Sequence, residues 1–153
     1  MNIENTDDLF FLSSVLQNKN IVLLGEAEHS DETTFAYKTQ IIKYLHENLG
    51  FDVLFFEAGR FEFDYLCAEH QHIDTLFFQN TLWNFWANSE SCKQLFAYID
   101  SLQYSENQMF VSGFDIQPSG NLFLPENFQQ QKGIHFNRKI IKATSEYLQK
   151  KEN

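Results

Sequence analysis

Three stretches of the chain are apolar almost without interruption, and the segments between them carry apolar residues at helical spacing. Ile21 to Leu24 is a continuous aliphatic run with two β-branched residues, the pattern of a parallel strand buried on both faces. From Ser30 the period changes. Phe35, Ile41, Ile42, Leu45 and Leu49 fall on one face of a helix. Ser30 is the candidate N-cap, Asp31 and Glu32 suit the positive end of the helix dipole, and Gly50 supplies the stop. "FDVLFFEAG" then gives a second strand centred on Val53 to Phe56.

Residues 61–87 are aromatic and predict short helices, with Trp83 and Trp86 as core or pocket wall. Asn88 or Ser89 can cap a further helix in which Cys92, Leu95, Phe96, Ile99 and Leu102 form the buried stripe. "QMFVSGFD" is the third strand. After Pro118 the pattern weakens into a long loop and then a basic helix within "IHFNRKIIKATSEYLQKK".

Alternating strands and helices predict an α/β fold with three layers, a small, mostly parallel sheet and flanking helices. Three strands are few for a doubly wound sheet, so the expectation is an incomplete version of a larger fold. At 153 residues the chain suits one domain spanning 1–153. There is no internal repeat.

Composition narrows the function. A formal charge of −10 and a pI near 4.8 disfavour nucleic acid and anionic membranes as partners. The acidic start "MNIENTDDLFFLSS" does not read as a secretory signal. No apolar run approaches a membrane span, and a cytoplasmic location is expected. Cys67 and Cys92 form no Cys-x-x-Cys pair and are expected to be buried thiols in helices.

The candidate chemistry lies at the strand ends. Each strand exits into an acid: Glu26, Glu57 and Asp115. In open α/β sheets the ligand crevice lies beyond these ends. Strands spaced about 4.8 Å apart let neighbouring end residues meet, so the three carboxylates and His29 are expected to share one pocket. Such a group suits acid–base work, with His29 taking a proton from water while a glutamate holds its other ring nitrogen. No Gly-x-Ser-x-Gly elbow is present to supply a serine nucleophile.

Lys38 falls inside the apolar stripe of the first helix. Either its ammonium snorkels to solvent, or it points to the strand ends and stabilises an oxyanion or binds substrate there. Glu26-x-x-His29 also matches a helical metal motif, but it follows a strand and a glycine. No cofactor is expected, and a divalent metal held by the Glu/His/Asp group is the open alternative. His46, His70, His72 and His135 are expected on the surface.

The pattern Gly25-Glu26-Ala27-x-His29, a helix containing "IIKYL", then "LGFDVLFFEAG", "WANSE" and "FVSGFD" resembles the erythromycin esterase family of hydrolases. The likeness spans roughly residues 20–117 and is strongest there. It implies opening of an ester or lactone by water, as family members open macrolide lactones, with Glu26 as the motif glutamate, His29 as general base and Glu57 as the second-strand glutamate. A family arginine corresponds to Lys38, a cation without the bidentate fork. Where family members commonly carry a glutamate four residues after the histidine, this chain has Thr33, with Glu32 one place earlier. The family's members are more than twice this long and draw further histidines from their C-terminal half. The resemblance thus implies a small-molecule ester or lactone substrate and two alternatives for the chain: a hydrolase in its own right, or a fragment that binds ligand or metal without turnover. Self-association or docking of a C-terminal half would accompany the second.

Overall fold

The computed structural model describes residues 6–69 and 72–120, all within one compact unit spanning Met1–Leu122. The basic helix expected within residues 134–151, His70 and His135 lie outside the described residues.

The chain begins with a 3-10 turn, Thr6–Leu9, and a short helix α1, Phe11–Val15, neither of which its apolar pattern announces. Helix α2, Glu32–Leu49, follows, then strand β1, Val53–Gly59. The aromatic region forms α3, Arg60–Glu69, α4, Thr75–Thr81, and α5, Asn84–Ala87. Helix α6, Glu90–Leu102, leads to strand β2, Phe110–Asp115. The two strands pair in parallel, Val53 opposite Phe110 through Phe56 opposite Gly113. An α/β fold with a small parallel sheet and flanking helices is therefore what the sequence forms.

Two expectations need correction. Residues 21–26 do not join a sheet ladder. They run extended with strand-like alternation, Val22, Leu24 and Glu26 partly buried and Ile21, Leu23 and Gly25 exposed, but β1 pairs only with β2 among the described residues. Apolar alternation directs which side chains turn inward; it does not by itself close backbone hydrogen bonds. The cap of α2 is Asp31 rather than Ser30. Ser30 sits in the left-handed region at φ 74°, while Asp31 is extended and its carboxylate accepts from the Thr33 amide at 3.0 Å. At the other end Gly50 takes φ 71° and its N–H donates to the Leu45 carbonyl, as expected of an αL stop.

The core lies between α6, α4, α3 and one face of the sheet. Ser89 caps α6 by accepting from the Cys92 amide, and Cys92, Leu95, Phe96 and Ile99 are buried on its inner face. Phe96 stacks on Phe78 at 4.3 Å, and Phe56 of β1 meets Phe63, Phe78 and Trp86. Burying a side chain of this size is worth about 1.5–3 kcal/mol, so this aromatic cluster holds the helices to the sheet. Cys67 does not share it. Phe63 and Leu66 occupy the inward face of α3 and leave Cys67 exposed.

Leu54, Phe56 and Val111 point into that cluster. Their neighbours on the other face, Val53, Phe55, Phe110 and Phe114, are each more than half exposed. The register slips between Phe56 and Gly59, where β1 spans one more residue than β2. This bulge bends the strand at Glu57 and Ala58. It also explains Gly113: a Cβ there would stand 2.3 Å from the Ala58 carbonyl oxygen.

Candidate active site

The extended segment ends at Glu26, and the 27–31 loop turns through the left-handed Ser30 into α2. This loop brings His29 back over Glu26. His29 Nδ1 lies 2.5 Å from Glu26 Oε1, and Lys38 Nζ, from the second turn of α2, donates to Glu26 Oε2 at 2.6 Å. Both carboxylate oxygens are therefore engaged. Lys38 does not snorkel; its head turns inward to the motif glutamate.

Exposure grades across the trio, with side chains 7% exposed for Glu26, 18% for Lys38 and 59% for His29. Burial raises the Glu26 carboxyl pKa, but the hydrogen bonds and charges of Lys38 and His29 outweigh it and hold the group below its ordinary value. An ionised carboxylate only accepts, so the hydrogen it shares with His29 belongs to Nδ1. That leaves Nε2 as the unprotonated nitrogen of the neutral ring, on its outer side. The ring is held from a second direction by Phe85, stacked at 4.8 Å.

Glu26, His29, Lys38 and Glu57 line one cavity of about 760 Å³, within the range of small-molecule sites. Its walls are the 20–26 segment and β1, and its floor is formed by α2 and α6, with Trp86 and Met109 beside them. Glu57 stands in the bulge, and its carbonyl accepts from Trp83 Nε1 at 3.2 Å. Trp86 is buried at the cavity wall and Trp83 braces β1, the roles expected of them.

Asp115 does not line this cavity. It accepts from the Gln117 amide and lies near Glu62. Glu62 escapes sequence reasoning altogether. It is an acid within the aromatic run "FEFDYL", yet it is 1% exposed and accepts from the Ser119 amide at 2.9 Å. Ser119 in turn accepts from the Gly59 amide and donates to the Thr81 carbonyl. The pair thus ties the end of β1 to α4 and to the chain after β2. Phe85 is the other residue missed; nothing in its spacing distinguishes it from core aromatics.

Glu32 has a structural partner. Its carboxylate accepts from the Ser91 amide at 2.6 Å, joining the starts of α2 and α6, and hydrogen bonding by Ser91, its side chain first and its amide after, holds it below the ordinary carboxylate range against burial. Thr33 serves the Asp31 cap. Among the remaining histidines, His46 bonds the Tyr98 hydroxyl across α2 and α6, and His72 is exposed beside Asp100. Among the described residues no three His, Cys, Asp or Glu side chains converge as a metal centre requires. Nor is any described helix long and apolar enough to cross a membrane.

This geometry meets one informative similarity. The chain is 35% identical over 143 residues to a Bacillus subtilis (strain 168) protein named "Putative hydrolase YbfO". The match covers 91% of this chain and 31% of that protein. The chain therefore spans about a third of the length of the curated relative it matches. No family model matches the chain, and no solved structure matches it.

Proposed function

We propose that the chain carries a water-activating site of an ester hydrolase of the erythromycin esterase type. The observation that carries this reading is the Lys38–Glu26–His29 relay at the mouth of an apolar cavity. Its likeness to a protein named as a hydrolase agrees with it.

In this mechanism His29 Nε2 takes a proton from water as the water oxygen attacks the ester or lactone carbonyl. The imidazolium so formed sits against the Glu26 carboxylate, which stabilises it. The tetrahedral oxyanion then collapses, the carbon–oxygen bond to the alkoxide breaks, and His29 returns the proton to the leaving oxygen. Lys38 keeps Glu26 ionised and aimed, and adds positive charge near the developing oxyanion. Glu57, across the cavity, orients the water. Because Lys38 neutralises Glu26, the trio is suited to proton transfer more than to holding a divalent ion.

The test is hydrolysis of a panel of simple esters and macrolide lactones by the purified chain, with and without chelator. His29→Ala should lower kcat by about 10²–10⁴, the usual weight of a general base, and chelator should change nothing. Activity removed by chelator would replace this mechanism with a metal-dependent one.

A second reading is favoured by one observation, the exposed apolar face of the sheet. Parallel sheets are covered on both faces, and the matched relative is about three times as long. In this reading the chain binds ligand and turnover requires a covering layer. A folded chain that retains the Glu26–His29 bond yet hydrolyses none of the panel would support it.

A further inference from the structure

Resting on the hydrolase reading, we infer that the cavity is an acyl groove and that the substrate is an ester of a medium- or long-chain carboxylic acid. The ionisable groups of the cavity stand at one end, and Asn20 lines it at the other end of the 20–26 segment. Glu26, His29 and Lys38 are clustered at the first end, and Lys38 and Glu26 neutralise each other. Beyond them the floor follows successive turns of α2 from Lys38 through Thr39 and Ile42 to Leu45. Seven steps along the helix at about 1.5 Å each make this stretch about 10 Å long.

No charged side chain lines that far stretch. Thr39 is buried, and its hydroxyl already donates to the Ser91 carbonyl at 3.1 Å. Leu45, Leu95 and Met109 are buried and close the floor. A charged group placed there would lose its hydration with no charged side chain to pair with it. An alkyl chain has no such cost and gains from burial. A fully extended chain advances about 1.25 Å per bond, given the C–C length and near-tetrahedral angle, so about eight carbons fill the groove. The reacting carbonyl then lies beside His29, and the chain lies between β1 and the 20–26 segment.

The experiment compares p-nitrophenyl acetate, butyrate, octanoate and decanoate with the full chain, below their micelle-forming concentrations. The value of kcat/KM should rise at least about tenfold from acetate to octanoate and flatten towards decanoate. Ile42→Phe, which narrows the groove, should remove that rise. Phe110→Ser, on the exposed face and outside the cavity, should keep it.

A second readout is independent of turnover. Trp86 lines the groove, so octanol should cause a saturable change in tryptophan fluorescence in the His29→Ala chain, and Ile42→Phe should abolish it. Hydrolysis with no dependence on chain length, and no saturable octanol binding, would overturn the acyl groove and leave the hydrolase reading standing. Octanol binding sensitive to Ile42→Phe, with no hydrolysis of any ester, would sink the hydrolase reading and retain an alkyl-binding groove.

Discussion

At the scale of single residues, two buried carboxyls are tuned in opposite directions. Glu26 is held ionised by Lys38 and His29, as an orienting partner for a base must be. Glu62 is pushed above its ordinary value, first by burial and then by the Asp115 charge, against hydrogen bonds from the Ser119 and Gly120 backbone. The folded chain therefore binds the Glu62 proton more tightly than the unfolded chain. Its stabilising contribution is complete below the ordinary carboxyl range and is lost as pH rises through the folded value. Glu62→Gln, which cannot ionise, should gain stability relative to the wild type as pH rises from the ordinary carboxyl range, about 4, through the raised folded value. Melting curves across that range check this; a constant offset would show that Glu62 titrates alike in both states. The sequence marks Glu26 and His29 because they follow an apolar run at its exit. It gives no sign of Glu62, because an acid flanked by aromatics reads as a helix's outward face until the chain after β2 packs onto it.

At the scale of elements, the helical stripes were legible and the strand pairing only in part. The α6 stripe buries Cys92, Leu95, Phe96 and Ile99 as its spacing says, while on α2 Phe35 and Leu45 are buried and Ile41, Ile42 and Leu49 only partly; a helix satisfies its own backbone and needs only one apolar face. A strand's partner is decided elsewhere in the chain. Thus residues 53–56 and 110–115 pair as their patterns suggest, while residues 21–26 stay extended beside β1 without a ladder. The cap moved from Ser30 to Asp31 because the loop needs a left-handed residue to fold His29 back over Glu26. The bulge at Glu57 was invisible in the apolar run and appears in its partner as a glycine. Gly113→Ala should be severely destabilising, because its Cβ would meet the Ala58 carbonyl of the neighbouring strand and the backbone cannot yield without losing register. Asp31→Ala should cost only about 1 kcal/mol, the usual loss of a side-chain cap. Denaturant unfolding of the two variants checks the contrast; equal effects would contradict the close approach of the strands at Gly113.

At the scale of the whole molecule, the described residues form one helical layer and one sheet, with the sheet's other face open. That face carries Val53, Phe55, Phe110 and Phe114, continued by Ile21 and Leu23 of the extended segment. The three apolar runs led to the expectation of three layers, since strands apolar on both faces call for two covering layers; among the described residues one of those faces is open. The cavity is lined from both faces, by Leu54 and Phe56 and by Val53, Phe55 and Phe114, and the relay is complete in its contacts among Glu26, His29 and Lys38. The account therefore turns on whether that trio works as a base within this chain. The most direct measurement is the rate of ester hydrolysis by the wild type beside Glu26→Gln, a near-isosteric change that removes the charge facing His29. The account predicts a loss in kcat on the order of 10²-fold or more, as when an orienting carboxylate is removed from a catalytic histidine. A Glu26→Gln chain as active as the wild type would contradict it.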